Sequence, residues 1–116
     1  MAGRQSLPRP DYHFRRHRRE FDYLGIYSEP EYLALFERHI QRRDLLHLTH
    51  LRLRDGHRIW YRIAPDTGVV AQYDETAENY QSFYLPVDVD GFLEAGRGWW
   101  VEVQQTAAGW RITPWG

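Results

Sequence analysis

The chain has 116 residues, 42% of them hydrophobic and 16% aromatic, which suits one folded domain and argues against wholesale disorder. It has no cysteine, which excludes disulfides and thiolate chemistry, and no apolar run long enough for a membrane anchor. Residues 1–62 carry 13 Arg against 8 acidic residues, whereas residues 63–116 carry 2 Arg against 8. The absence of lysine is common in GC-rich genomes, but the basic first half favours a polyanionic partner.

Two helices are predicted in the first third of the chain. Residues 1–10 contain two prolines and a glycine and are predicted to form a flexible arm. A first helix is predicted over about residues 11–23. Ser28, followed three residues later by Glu31, is a capping box that predicts a second helix ending near Arg43. The apolar residues of this second helix recur at helical spacing: Tyr32, Leu33, Phe36 and Ile40.

From Leu46 onward the hydrophobic period changes to two, which predicts antiparallel strands. The stretches HLTHLRLRD and HRIWYRIA flank Asp55-Gly56, a strong signal for a hairpin turn. VVAQYDE and YQSFYLP predict a third and a fourth strand, VDVDGFLEAGRG a short helix or turn, and WWVEVQQ with WRITPW a last hairpin. Residues 11–116 are therefore predicted to form a single α+β domain: two N-terminal helices packed on a twisted antiparallel β-meander of four strands, plus a C-terminal hairpin.

Alternation along the strands predicts one apolar and one polar face of the meander. The predicted apolar face consists of Leu51, Leu53, Ile59, Tyr61, Ile63, Phe83 and Leu85. The predicted polar face consists of His50, Arg52, Arg54, Arg58, Trp60, Arg62, Tyr80, Ser82 and Tyr84. Guanidinium groups, rings and hydroxyls on one surface favour RNA binding, with phosphates on arginine and bases on rings. The alternative is that this face is simply the solvated side of an antiparallel sheet.

The order of the motifs resembles a known family. HFRRHRREF, LGIYSEPEYLALFERHI, DGHRIWYRIAPDTGVVAQYDE and YQSFYLP follow one another over roughly residues 12–86. In this order they resemble the C-terminal ribonuclease toxin domains of bacterial polymorphic and contact-dependent toxins, which belong to the barnase–EndoU–colicin–RelE superfamily. Those domains have a His on the first helix, a Ser-capped second helix with an early Tyr, and a strand with Thr or Ser that ends before Pro.

The resemblance implies a metal-independent endoribonuclease. It places the family's helix histidine at His17 and the family's strand Thr or Ser at Ser82, with Tyr84 as a further site residue. The family often has Lys before the final Pro, where this chain has Leu85, so Arg58 or its strand neighbour Arg62 is expected to supply that charge. The last thirty residues extend beyond the motifs that carry the resemblance.

RNA cleavage without a metal requires a base for the ribose 2′-OH, an acid for the leaving 5′-oxygen and donors for the phosphate, and it gives a 2′,3′-cyclic phosphate. The predicted catalytic residues are His17, Arg58, Ser82 and Tyr84. The predicted RNA-binding residues are His13, Arg16, Arg52, Arg54, Trp60, Arg62 and Tyr80. No cofactor and no metal are expected, because the His13–His17 pair lacks an HExxH context and is flanked by arginines that repel a cation.

The expected partners are an RNA substrate, with tRNA as one candidate, and a cognate immunity protein covering the Arg-rich face. By the same resemblance the chain is expected to be a monomer. It would be a secreted or delivered effector domain that acts in the cytoplasm of a target bacterium. Two alternatives remain open. One is a non-catalytic RNA- or protein-binding α+β module. The other is a small-molecule-binding, cone-like α+β domain, which requires an enclosed apolar pocket between helix and sheet.

Overall fold

A computed structural model describes residues 6–86 and 88, together with the backbone of residues 101–106 and 109–114. Within these ranges the elements are α1 Pro10–Asp22, α2 Glu29–Ile40, β1 Leu46–Leu51, β2 Arg58–Ile63, β3 Val70–Asp74, β4 Asn79–Tyr84, β5 Val101–Thr106 and β6 Gly109–Pro114. These strands form one antiparallel sheet in the order β4-β3-β2-β1-β5-β6. The predicted α+β class is confirmed, and the C-terminal hairpin joins the meander alongside β1.

Both helices begin close to the predicted residues, and the second begins at its predicted cap. Pro10 occupies the first turn of α1, where its missing N–H is not needed. At the start of α2 the Ser28 hydroxyl accepts the backbone N–H of Glu31 and donates to the Glu31 carboxylate, so the capping box is present. The α2 helix ends at Ile40, three residues before the predicted Arg43. The predicted helix or turn at 87–98 lies outside the described residues, apart from residue 88.

The main core lies between the helices and one face of the sheet, and aromatic side chains fill it. Phe21 of α1 and Tyr32 of α2 are fully buried, and both rings contact the ring of Phe83 on β4. The Tyr32 hydroxyl donates to the Phe83 carbonyl at 2.6 Å. Leu7, which precedes α1, is 3% exposed and belongs to the same core. No helix in the described ranges is long and apolar enough to cross a membrane.

The first hairpin corrects the predicted faces of β1. Arg52 N–H donates to the His57 carbonyl, which leaves a four-residue loop in place of a two-residue Asp-Gly turn. In the resulting register Leu51 lies opposite Arg58, and His50 lies opposite Ile59. Leu51 is therefore not on the face of Ile59, as had been predicted, and it is 55% exposed. The loop residue Leu53, also predicted to be on the apolar face, is fully exposed at 102%.

A β-bulge on β4 corrects a second predicted face. Gln72 pairs with Ser82, but Tyr73 pairs with Tyr80, so Gln81 is an extra residue. The bulge reverses the alternation, so that Tyr80 faces the helices while Ser82 faces the other way. Tyr80 is 1% exposed in the main core and was wrongly placed on the polar face.

The helix side of the sheet also receives the polar residues of β2. The register pairs Arg62 with Ala71 and Trp60 with Tyr73, and both partners face the helices. The Arg62 guanidinium lies over the Tyr73 ring at 4.8 Å and donates to the Tyr80 hydroxyl. We call this side the helix face.

The opposite side is called the site face, and it is defined by Leu48, Tyr61, Gln72, Ser82 and Tyr84. A small second core occupies part of it, made of Leu48, Ile63 and Val70 with Leu46, Tyr61 and Tyr84 packed against them. On β2 the helices therefore cover the face that had been predicted to be polar, and the predicted apolar face is the site face. Arg58, Trp60 and Arg62 lie on the helix face, whereas Ile59, Tyr61 and Ile63 lie on the site face.

Two histidines lie at the helix face. His39 of α2 is 2% exposed, and its Nε2–H donates to the Arg62 carbonyl at 2.8 Å. His47 of β1 lies directly opposite Arg62. Burial, followed by the positive charge of Arg62 and by the proximity of His39, lowers the pKa of His47 to about 4. Its neutral form is therefore favoured in the folded state.

Tyr32→Phe should lower the free energy of unfolding by about 1–3 kcal/mol, because it leaves the buried Phe83 carbonyl without its donor. Urea denaturation checks this. Tyr27→Phe is the matched control, since Tyr27 is 66% exposed, and it should be neutral within about 0.5 kcal/mol. Equal effects of the two variants would contradict the role given to the Tyr32 hydroxyl.

His47 should make folding sensitive to mild acid. Its folded pKa is about 4, below the unfolded value of about 6.5, so the unfolded state takes up the proton first. The free energy of unfolding should therefore fall as pH drops from about 6.5 toward 4. His47→Gln should reduce this fall by an amount on the order of 1–2 kcal/mol, after allowing for solvent screening. Equal pH slopes for the variant and the parent, in denaturation series from pH 7 to 4.5, would refute the assignment.

Candidate active site

His17, Glu20 and Ser82 are joined by hydrogen bonds at the edge of the site face. The Nδ1 of His17 lies 2.9 Å from Glu20 Oε2, and its Nε2 lies 3.4 Å from Ser82 Oγ. Because a carboxylate only accepts, Nδ1 carries the proton and Nε2 of the neutral ring accepts from the Ser82 hydroxyl. Glu20 therefore selects the His17 tautomer that has a basic nitrogen directed at β4.

The position of α1 explains why these three groups meet. Glu20 and Phe21 lie one turn after His17, so the burial of Phe21 in the core sets the rotation of the helix. The second carboxylate oxygen of Glu20 accepts the backbone N–H of Leu85 at 2.9 Å. This bond ties the end of α1 to the end of β4, directly after Tyr84.

Tyr84 completes the group. Its ring lies against the His17 ring with centroids 5.7 Å apart and planes inclined by 30°. Its hydroxyl donates to Gln72 Oε1 at 3.2 Å. Burial, followed by the nearby Tyr61 and Glu20, raises the pKa of Tyr84 far above its usual value. Tyr84 therefore stays protonated and is available as a hydrogen-bond donor.

A chain of hydrogen bonds leads from Tyr84 to the far end of β3. Gln72 Nε2 donates to Gln81 Oε1, and Gln81 Nε2 donates to Asp74 Oδ2, each at 3.1 Å. His57 Nδ1–H donates to the same Asp74 oxygen at 2.7 Å. Burial alone would raise the pKa of Asp74, but hydrogen bonds from His57 and the Ala77 N–H bring it below its usual value. The chain fixes the Gln72 amide that receives the Tyr84 hydroxyl.

His50 and Tyr61 form a second ring pair on the site face. Their rings stack with centroids 5.5 Å apart and planes inclined by 22°. His50 Nε2 lies 3.0 Å from the Tyr61 hydroxyl. Burial, followed by the charges of Arg52 and Arg58, lowers the pKa of His50. Such a neutral ring pair offers a flat surface of the kind on which nucleic-acid bases stack.

The structure brings together three of the four residues predicted to be catalytic. His17 contacts both Ser82 and Tyr84, although it comes from a distant part of the sequence. Arg58 is not with them. It lies on the helix face, and its guanidinium donates to Thr49 Oγ1 at 3.4 Å.

The residues predicted to bind RNA are divided among several surfaces. Trp60, Arg62 and Tyr80 lie on the helix face, so they do not share a surface with Ser82. Arg52 is held at the first hairpin loop by Asp55 and by buried Asp74, at 2.6 and 3.5 Å. Three predicted RNA-binding residues lie outside these two groups: His13, Arg16 and Arg54.

Arg54 and Arg16 are exposed. The Arg54 side chain is 75% exposed at the loop tip, and Arg16 on α1 donates to the Tyr12 hydroxyl at 3.2 Å. His13 lies one turn before His17 on α1, and its Nδ1 is buried without a hydrogen-bond partner. Burial, followed by the charges of His17, Arg9 and Arg16, lowers the pKa of His13, so its ring is favoured in the neutral state.

Sequence reasoning missed Glu20 and Gln72. The signal for Glu20 was present, because a carboxylate three residues after a helical histidine lies on the same helix face. Gln72 and Gln81 carried no such signal, since their amides meet only through the bulge on β4. Among the described residues no cluster of His, Asp and Glu has the makings of a metal site.

No model of a known protein family matches this chain, and no significant match was found among curated proteins or solved structures.

When the His17 imidazole is neutral, it should carry its single ring proton on Nδ1. The ¹⁵N shifts of the imidazole check this directly, since protonated and bare ring nitrogens differ strongly. Glu20→Ala should abolish the preference for the Nδ1–H form, because the acceptor is removed, whereas Glu29→Ala at the start of α2 should leave the shifts unchanged. A bare Nδ1 in the unaltered protein would contradict the tautomer assigned here.

Proposed function

We propose that this protein is a metal-independent endoribonuclease, in which His17 removes the proton from a ribose 2′-OH. The observation that supports the proposal most is the His17 ring: its Nδ1 is fixed by Glu20, and its basic Nε2 is presented beside Ser82 and Tyr84. A histidine held in one tautomer, beside a serine hydroxyl and a tyrosine ring, is suited to proton transfer at a phosphodiester. The motif order described above points to the same chemistry.

In the proposed reaction, a phosphodiester replaces the contact between Ser82 and His17. His17 Nε2 accepts the 2′-OH proton while the 2′-oxygen attacks phosphorus, and Glu20 stabilises the imidazolium that forms. The P–O5′ bond breaks, which gives a 2′,3′-cyclic phosphate and a 5′-hydroxyl end. The observed Nε2–Oγ distance of 3.4 Å is long for a hydrogen bond, as is common at sites without substrate.

Ser82 and Tyr84 donate to the phosphate in this scheme. When His17 Nε2 accepts the 2′-OH proton, it no longer accepts the Ser82 hydroxyl. The Ser82 hydroxyl then donates to a non-bridging phosphate oxygen. Tyr84, which burial keeps protonated, is the proton donor for the leaving 5′-oxygen, and its O–H leaves Gln72 Oε1 to donate to that oxygen. His17 then returns its proton to Tyr84, so both groups recover their starting state. Donors in place before the reaction stabilise its charge without reorganisation.

Electrostatic binding of RNA would come from exposed arginines rather than from Arg58 and Arg62. Arg16 on α1 and Arg54 at the loop tip are exposed and able to reach phosphates. Stacking of bases on the His50–Tyr61 ring pair would add to the affinity for RNA and would tolerate different RNA sequences. Such binding is steered by charge and should weaken as salt is raised.

The biological role that fits this activity is that of a toxin. A delivered effector domain that cleaves RNA, with tRNA as one candidate, would act in the cytoplasm of a target bacterium. The producing cell would need a cognate immunity protein that covers the site. These roles follow from the family resemblance and from the proposed chemistry.

The same three side chains also suit a serine hydrolase, since Ser82, His17 and Glu20 follow the order nucleophile, base and orienting acid. Ser82 lies within β4, opposite Gln72 in the ladder. A nucleophilic serine usually occupies a sharp strand-to-helix turn that exposes its oxygen. We therefore assign Ser82 a hydrogen-bonding role, and Ser82→Ala should reduce RNA cleavage far less than loss of the histidine does.

His17→Ala should lower the rate of RNA cleavage by at least about 10²-fold, because it removes the general base. The protein is incubated with total RNA in the presence of a chelator, and the cut ends are mapped for a 2′,3′-cyclic phosphate. Arg58→Gln is the matched control. It removes a charge from the helix face and should change the rate by less than about threefold.

Circular dichroism should show that each variant is folded. An unaltered protein that leaves RNA intact from pH 5 to 9 would end the ribonuclease proposal. Cleavage by His17→Ala at the parent rate would instead remove His17 from the mechanism. A loss of activity in Arg58→Gln as large as that in His17→Ala would show that the helix face holds the site.

A further inference from the structure

An apolar groove lies on the helix side of the molecule, away from the hydroxyl of Ser82. It is formed by the connection between α1 and α2, by α2 itself and by the turn between β2 and β3, and it has a volume of about 480 Å³. Its walls are mainly the side chains of Leu24, Ile26, Leu35 and Val69. This volume lies within the range of about 300–1,000 Å³ that is usual for small-molecule sites.

The groove differs from the enclosed pocket that a cone-like fold would require, because it opens to solvent along one side. Three of its apolar residues, Leu24, Ile26 and Leu35, pack only partly against the main core, so they keep apolar surface exposed to the groove. A ligand with an apolar body would cover this surface without any rearrangement of the core.

Among the charged side chains around the groove, one guanidinium has no carboxylate partner in the part of the chain that the structure describes. Arg42 also lines it, but its guanidinium is already paired with Asp66 at 3.0 Å and with Asp44 at 2.7 Å. Arg38 lines the groove as well, and its guanidinium is bound to no carboxylate among the described residues. Burial lowers the pKa of the adjoining His39, so this ring is favoured in its neutral form.

An apolar groove with one available guanidinium complements a ligand that has an apolar body and a single negative charge. A carboxylate is the anion that a guanidinium binds best through two parallel hydrogen bonds. We propose that this groove binds a small amphipathic carboxylic acid, with Arg38 holding the carboxylate and the four apolar residues holding the hydrocarbon. This site is independent of the proposed ribonuclease centre.

The test uses octanoate as the probe on the full chain and follows methyl and amide NMR shifts. Octanoate should shift the methyl signals of Leu24, Leu35 and Val69 in a saturable manner. Arg38→Gln should weaken the affinity by about tenfold or more, because a charge-assisted hydrogen bond is lost. The control is Arg43→Gln, which removes an exposed arginine that does not line the groove and should bind within about twofold of the parent.

Octan-1-ol separates the two parts of the interaction, since it has the hydrocarbon without the charge. Octan-1-ol should bind the parent protein more weakly than octanoate does. It should bind Arg38→Gln as tightly as it binds the parent. Absence of saturable shifts at millimolar octanoate would overturn the proposal. So would equal affinity of octanoate for the parent and for Arg38→Gln, or shifts confined to the site face.

Discussion

The carboxylate of Glu20 is the contact on which the candidate site depends. One oxygen holds the His17 ring, and the other accepts the backbone N–H of Leu85. The same side chain thus sets the direction of the imidazole and attaches α1 to the strand that carries Ser82 and Tyr84. Without it, the helix would still be held by Phe21 in the core, but nothing among the described residues would select which ring nitrogen faces β4.

Much of the fold was predictable because it depends on local signals. The capping box at Ser28 is a local hydrogen-bond pattern, and the change from helical to alternating periodicity at Leu46 reflects which faces are buried. The positions of side chains across the sheet were less predictable, because a strand's faces depend on register. A four-residue loop in the first hairpin moved Leu51, and one extra residue on β4 moved Tyr80. Neither the loop length nor the bulge can be predicted from the alternation of apolar and polar residues.

A separate cause explains why the arginines of β2 are not on the predicted surface. Alternation correctly grouped Arg58 with Arg62, but it gave no indication of which face the helices cover. The helices pack on Ala71 and Phe83, and Arg62 is paired with Ala71 on that side. Its guanidinium lies over the Tyr73 ring there and donates to the Tyr80 hydroxyl. A basic sequence segment therefore need not produce a basic surface.

The separation of charge from the site has a consequence for catalysis. With Arg58 and Arg62 on the helix face, the groups contacting His17 are a carboxylate, a serine hydroxyl and a tyrosine ring. A site of this composition stabilises a phosphate mainly by directed O–H donors and by the imidazolium itself, so its efficiency depends on how firmly those donors are held. The Gln72 amide, fixed through the chain to Asp74, holds the Tyr84 hydroxyl in place. The bulge on β4 brings Gln81 into that chain. The irregularity that made the face of Tyr80 unpredictable from the sequence therefore also supports the Tyr84 hydroxyl, which the proposed chemistry requires as a donor.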